Sequence, residues 1–353
     1  MASTLRLGIL DQSPIAQGST GSEALHNTID LARLADELGY GRYWVAEHHG
    51  GPMLAGAAPE VLIGPIAAAT RHLRVGSGGV MLPHYSPVKV AEAFSILAGL
   101  FPGRIDLGLG RAAGTDPVTT FALQRDRTRA MPDDFPEQLA ELLALLDDRM
   151  PSDHPFAKLA ELPGGPDHRP RPWLLGSSAQ SGEWAAQLGL PYAFADFINP
   201  RGAAIAQRYL AEFLPERGVD DPEVIVAAWI LCAETQEEAD RLASSSKMAM
   251  TLLRRGRLIP VPPPDQALRF LESEGRATGG GGVGSRRTIV GTPDRVRAEV
   301  EELAAQYGAR EVLAVTITHD HAARRRSYEL LAEAFGLERP AAAAPVGAGA
   351  AAD

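Results

Sequence analysis

The chain has 353 residues, 45% hydrophobic, 22% charged and 6% aromatic, a composition that excludes disorder or a fibrous repeat over most of its length. Its net charge of −10 excludes a dominant basic footprint, so no nucleic-acid partner is expected. At roughly 150 residues per domain the length allows two domains, although α/β barrels routinely use it as one.

In chain order, short apolar runs alternate with helical patterns. Leu5-Arg6-Leu7-Gly8-Ile9-Leu10 is the first expected strand. Thr20-Gly21-Ser22-Glu23 is a capping box that opens a helix carrying Leu25, Ile29, Ala32, Leu34 and Leu38, and Gly39 stops it. Tyr43-Trp44-Val45-Ala46 is the second strand, with a helix near 59–70 behind it. Leu73-Arg74-Val75-Gly76 begins the third, followed by a helix over 87–100, and Ile105-Asp106-Leu107-Gly108-Leu109 is the fourth. After a long excursion a helix runs over about 133–147. Trp173-Leu174-Leu175-Gly176 and Tyr192-Ala193-Phe194-Ala195 are the fifth and sixth strands, each followed by a helix. The seventh is 224–232, after which Thr235-Gln236-Glu237-Glu238 caps a helix. Glu311-Val312-Leu313-Ala314-Val315-Thr316-Ile317 is the eighth, ahead of a last helix around 327–335. Eight such alternations point to an α/β fold, a parallel sheet closed into a (β/α)8 TIM barrel, with a doubly wound open sheet as the alternative.

Three stretches break the rhythm. Residues 149–172 are rich in Pro, Asp and His and read as a surface excursion. Residues 256–287 hold Pro260, Pro262, Pro263 and Pro264 and then Gly279-Gly280-Gly281-Gly282-Val283-Gly284, whose ordering costs much backbone entropy. That segment reads as a mobile lid inserted before the last strand, and Thr292-Pro293-Asp294 restarts a helix after it. Residues 340–353 are almost all Ala, Gly and Pro and read as a disordered tail, which leaves 1–339 as one domain.

The helices at 59–70 and 87–100 are too apolar for one buried stripe: Val61, Leu62, Ile63 and Ile66 on the first, Val90, Phe94, Ile96, Leu97 and Leu100 on the second. A homodimer that covers both is expected; an intrachain extension would serve the same need. The single cysteine, Cys232, sits in an apolar run and excludes an intramolecular disulfide or a cysteine-cluster metal site. No apolar run reaches the ~18 residues needed to span a bilayer, so no membrane association is expected. The first residues meet Asp11 too soon for a signal peptide, so a cytoplasmic location is expected.

Function in such a barrel sits at the C-terminal ends of the strands. Those ends present Glu47-His48-His49, Ser77-Gly78-Gly79, Pro83-His84-Tyr85, Gly110-Arg111-Ala112-Ala113-Gly114 and Ser177-Ser178-Ala179-Gln180-Ser181. The last segment enters a helix whose free N–H groups favour an anion, and Ser178 and Ser181 add hydroxyl donors. An N-cap alone would explain the serines. Arg111, on a glycine-rich turn after the neighbouring strand, adds a side chain able to clamp phosphate bidentately. Other patterns are decoys. Gly108 to Gly114 is one residue too long for the dinucleotide fingerprint, so no nicotinamide site is expected. His48 and His49 point apart in extended chain, and His319-Asp320-His321 lacks a third ligand, so no metal is expected.

Four blocks, Tyr43-Trp44-Val45-Ala46-Glu47-His48-His49, 75–83, 103–111 and 182–191, resemble the bacterial luciferase-like flavin monooxygenases over about residues 5–335, nearest to their small single-chain oxidoreductases. The resemblance implies a TIM barrel that uses reduced FMN or, in one branch, F420. It implies that His48 lies near the reactive edge of the flavin, with Glu47 and Gly79 beside the ring; both His48 and Glu47 are catalytic candidates. Arg111, Ser178 and Ser181 match phosphate-binding positions, Ser177 stands where relatives have an acidic residue, and Gly78-Gly79 match a bulge with a non-prolyl cis bond. Gly114 stands where the true luciferases have a bulky aromatic and Gly110 where they have a cysteine, so long-chain aldehyde and light emission are not expected. The implied reaction activates O2 as a flavin C4a-(hydro)peroxide, with FMNH2 supplied by a separate NAD(P)H-dependent reductase. It oxygenates a hydrophobic organic substrate, held by Met53, Leu82, Tyr85 and the space at Gly114. F420-dependent hydride transfer and a non-catalytic flavin-binding subunit are the alternatives, the latter opposed by the retention of His48 and Arg111.

Overall fold

The computed structural model describes residues 5–111, 116–128, 133–217, 219–277 and 287–340. In chain order the elements are β1 (Arg6–Asp11), α1 (Gly21–Leu38), β2 (Arg42–Val45), α2 (Pro59–Ala69), β3 (Arg74–Met81), α3 (Pro87–Leu100), β4 (Ile105–Gly110), α4 (Pro117–Leu123) and α5 (Phe135–Leu146). They continue with β5 (Arg171–Gly176), α6 (Ala179–Gln187), β6 (Tyr192–Ala195), α7 (Ala203–Glu212), β7 (Val224–Cys232), α8 (Gln236–Arg254), α9 (Pro264–Ala277), β8 (Thr288–Gly291), α10 (Pro293–Tyr307), β9 (Glu311–Val315) and α11 (His321–Phe335).

Local chemistry sets the ends of these elements. Thr20 and Thr235 accept hydrogen bonds from the N–H groups of Glu23 and Glu238, and Gly39 ends α1 at φ 87°, where a Cβ would strain the chain. Thr292 sits at the N-cap of α10 without a side-chain capping bond; Pro293 pre-sets the first turn there instead.

β1 through β7 pair in chain order, β9 pairs with β7 and β1, and every pairing is parallel. The ring is closed: this is a (β/α)8 barrel, and all eight expected strands are present. β8 is an addition that the sequence reading did not include. β6 stops at Ala195, opposite Ala227, so the far half of β7 would leave an open edge. β8 fills it, pairing Thr288–Gly291 with Trp229–Cys232.

The region expected as a lid is partly helix. Pro264 lies at the start of α9 rather than inside it, and α9 packs Ala267 and Phe270 on Met248 and Leu252 of α8. The glycine-rich centre at 278–286 and the tail at 341–353 lie outside the described residues. Of the expected excursion 149–172, residues 149–170 run as turns and one short 3-10 helix (Ala157–Leu159) and 171–172 already belong to β5; Gly164 donates its N–H to Ser95 Oγ of α3 at 2.9 Å. Part of the apolar surface of α3 is thus covered by the chain itself. Val61 (69% exposed), Ile96 (48%) and Leu100 (66%) remain in solvent. Among the described residues no helix is long and apolar enough to cross a membrane.

Inside the barrel, alternate residues of each strand point inward. The inward series of β2 begins with Arg42 and Trp44. Arg42 is buried with Asp106 and Glu311, donates Nε–H to Glu311 at 3.0 Å, is paired with Asp106, and lies between the rings of Trp44 and Trp173 (5.2 and 4.7 Å). Trp44 Nε1 donates to Asp106 at 3.0 Å. Above this charged floor lies an apolar layer that includes Leu10, Ala46, Ala193, Ile225, Ala227, Leu313 and Val315.

Candidate active site

The inward series of β2 continues past the strand to His48, whose N–H donates to Gly56 O at 2.8 Å. Its ring is largely buried, and Nδ1 has no hydrogen-bond partner. Burial, with the neighbouring His49 second, pushes the imidazole down to a pKa of about 4, so it is neutral at pH 7. A neutral imidazole with a buried, unpartnered Nδ1 is placed to meet a ligand.

Glu47 and His49 belong to the opposite series. Glu47 accepts from His49 Nε2 (2.8 Å), Tyr85 Oη (3.1 Å) and the N–H of Met81 (2.9 Å). Burial raises its pKa, and these three donors counter the rise. The carboxylate therefore staples the end of β2 to the end of β3, on the side of the chain opposite His48. Alternation along an extended chain is the reason.

The Gly78–Gly79 bond is cis, as the resemblance implied. The β3–β4 register shifts between Ser77 and Val80, and Ser77 Oγ bridges the shift, donating to Gly108 O (2.9 Å) and accepting from Gly108 N–H (3.0 Å). A Cβ on Gly79 would lie 2.8 Å from Gly108 O, so close backbone approach excludes a side chain there, and one on Gly78 would lie 2.5 Å from Leu10 Cδ1 and displace that side chain.

Arg111 projects from the end of β4 to the first turn of α6. It donates to Gln180 Oε1 at 2.9 Å and lies over the Trp184 ring at 5.7 Å, and Trp184 stacks on Phe135 at 5.6 Å. Ser178 is the N-cap of α6 and is exposed. Ser181 instead closes a capping box, donating Oγ–H to Ser178 O (2.8 Å) and meeting Tyr192 Oη (2.8 Å). Its hydroxyl is engaged inside the fold. Ser177 is half-buried and its carbonyl accepts from Asn199 Nδ2 at 2.9 Å.

Of the expected substrate residues, Met53 packs with Ala249, Val261 and Ile317 beside Trp229. Leu82 is instead wholly buried in the outer core, because it lies on the turn that leads out to α3. Tyr85 spends its hydroxyl on Glu47, and Gly114 lies outside the described residues. The sequence reading missed Leu175, Phe197 and Trp229, which are half-buried around the barrel mouth and pack on the apolar layer below. Their signal was available: each lies two residues past an inward residue, Trp173, Ala195 or Ala227.

Other clusters do not compete. His319 meets Gln17 O (3.2 Å) and His321 meets Asp30 (2.8 Å), and among the described residues no set of three or more His, Cys, Asp or Glu is arranged for a metal. A groove of about 190 Å³ between α6 and α7 lies outside the barrel, where Arg208 is already paired with Glu183 and Glu212.

The sequence model of luciferase-like monooxygenases matches residues 5–311. The chain belongs to that family. A luciferase-like monooxygenase of Escherichia coli (strain K12) is 41% identical over 328 residues, which are 93% of this chain and 96% of the relative. The N-acetyl-S-alkylcysteine monooxygenase of Bacillus subtilis (strain 168) is 39% identical over 334 residues, 94% of this chain and 98% of the relative. The crystal structure of apo-MsnO8 has a TM-score of 0.85 at 40% identity, and covers 95% of this chain and 100% of that one. The chain is thus an oxidoreductase of the luciferase-like monooxygenase family.

Proposed function

We propose that this luciferase-like monooxygenase uses FMNH2, delivered by a separate NAD(P)H-dependent reductase, to insert one atom of O2 into a hydrophobic organic substrate. One observation carries the reading: Arg111 meets the N-terminal turn of α6 on the barrel face that also holds the unpartnered His48. Arg111 and the free N–H groups of α6 offer a site for one phosphate ester. That matches FMN better than F420, whose polyanionic tail asks for a wider positive surface than a chain of net charge −10 offers. Reduced flavin, when bound, supplies two electrons to O2, so that one oxygen atom enters the substrate and the other leaves as water.

The residues divide the remaining work. Arg111 and exposed Ser178 bind phosphate, Glu47 holds β2 against β3, and Leu175, Phe197 and Trp229 keep water from the mouth. His48, neutral at pH 7, accepts a hydrogen bond at Nδ1 from the reacting partners. Val61, Ile96 and Leu100 form the contact of a homodimer. The Bacillus subtilis relative is named for N-acetyl-S-alkylcysteines, which makes S-alkyl thioethers the first compounds to try. The test is titration of the protein with FMN, riboflavin and F420, followed by 18O2 labelling of the product formed from FMNH2-loaded protein. Tight FMN binding with label in an oxidised thioether or another apolar substrate supports the reading. Tight F420 binding without O2 consumption replaces it with hydride transfer.

A further inference from the structure

We infer that Trp229, backed by Phe197, is the specificity-determining wall of the substrate chamber, and that it admits a neutral alkyl or aryl group of limited length. The inference rests on the monooxygenase reading and deepens it. Along β7 the inward residues are Ile225, Ala227 and Trp229; the first two are buried in the apolar layer, and only the indole reaches the mouth and keeps part of its surface free. Phe197 meets that indole edge-on at 5.7 Å and 66°, a pairing that fixes both rings.

The position of Trp229 decides its role. It packs on two separate clusters, the apolar layer of the barrel and the group formed by Met53, Ala249, Val261 and Ile317. The ring therefore stands as a wall between the apolar layer below the mouth and the packed group on its rim, with only its free face turned to the opening. The mouth is also divided by chemistry. His48, Arg111 and Ser178 come from the ends of β2, β4 and β5, whereas Phe197, Trp229 and Ile317 follow or end β6, β7 and β9 and carry no charge. A phosphate-bearing cofactor suits the first half. An uncharged carbon chain suits the second, since burying a polar group against it leaves that group without a hydrogen-bond partner. The atom to be oxidised then points towards β2 and the apolar group towards β7, and the indole limits how long that group can be.

The test uses the full-length protein and neutral dimethylaminonaphthalene ketones bearing acetyl, propionyl or lauroyl tails as fluorescent probes, with and without FMN. Wild-type protein should bind the acetyl and propionyl probes and reject the lauroyl one. Trp229→Ala opens the space the indole fills; it should bind the lauroyl probe at least about tenfold more tightly than wild type, the scale of discrimination that an apolar pocket attains. Trp229→Phe should keep the wild-type order, and Trp229→Leu serves if the alanine variant fails to fold by circular dichroism. FMN affinity should stay within about twofold in each variant. The same probe order in wild type and in both small variants overturns the inference. So does displacement of the probes by FMN, or a parallel loss of FMN affinity, since either places Trp229 in the flavin site. If FMN binds neither wild type nor variants, the cofactor assignment fails while the probe order is still read.

Discussion

The two ends of the barrel are filled by opposite means. At the floor, Arg42 is enclosed by Asp106, Glu311, Trp44 and Trp173, and Arg74 adds a second hydrogen-bonded link to Asp106. At the mouth, His48 keeps a buried nitrogen without a partner and Trp229 keeps part of its ring uncovered. Both Arg42 and His48 belong to one inward series, three alternations apart on the same segment. A buried polar group that is fully partnered locks a structure, and one left unpartnered costs stability unless a ligand meets it. The contrast separates the residues that hold this barrel from those we propose to act in it.

The sharpest way to break that comparison is to invert it. Arg42→Leu takes from buried Glu311 its hydrogen-bonded cation and leaves Asp106 with the Arg74 cation alone, and should cost about 3–5 kcal/mol in urea unfolding, with activity per folded molecule retained. His48→Ala should do the reverse: turnover falls about 10²–10⁴-fold while the urea midpoint at pH 7.5 stays put. If both variants lose stability and turnover together, floor and mouth are not separate.

Arg111→Ala should weaken FMN binding about 10- to 150-fold and leave riboflavin, which lacks the phosphate, nearly indifferent, read by quenching of flavin fluorescence. Equal losses for both flavins would remove Arg111 from the phosphate.

The acid limb of stability sharpens the contrast further. The His48 imidazole ionises at about 4 in the folded chain against 6.5 unfolded. The unfolded chain therefore takes up its proton first, and stability present above 6.5 is lost as the pH falls from there towards 4. His48→Ala should flatten this part of the curve by up to about 3 kcal/mol, measured as the difference in unfolding free energy from wild type between pH 7 and pH 4.

The smallest effect belongs to the staple between the strands. Tyr85→Phe removes one of three donors to Glu47 and should cost about 1 kcal/mol, visible as a modest shift in urea midpoint with turnover little changed. A large loss of turnover would make Tyr85 part of the reacting site rather than its support.

Much of this layout was legible before any coordinates. The eight barrel strands, the Thr20 and Gly39 ends of α1, and the meeting of Arg111 with residues 176–181 follow from local pattern. Strand periodicity, capping and the adjacency of β4 and β5 are written over short stretches of chain. The side chain of Leu82 was harder to place, because the chain turns out of strand geometry there and no period applies, whereas Glu47 still follows the alternation of β2 and was open to the same reading as His48. β8 was illegible for a different reason: four residues have no strand stability of their own, and this strand exists because β7 outruns β6. α9 was hidden behind prolines that start a helix rather than break it.

What the sequence by itself determined was the barrel, its family and the identity of the residues at the strand ends. Each of these rests on alternation or short motifs that need no knowledge of distant partners. Only the tertiary structure decided which of those residues are spent and which are free. Ser181 is consumed by its own cap, Glu47 by three donors and Leu82 by the outer core, while His48 Nδ1 is left over and Trp229 keeps part of its ring uncovered. Alternation tells which side of a strand a residue faces. Inter-strand register and the closure of the ring tell how high in the barrel it stands and what it meets there, and those are set by contacts between residues far apart in the chain.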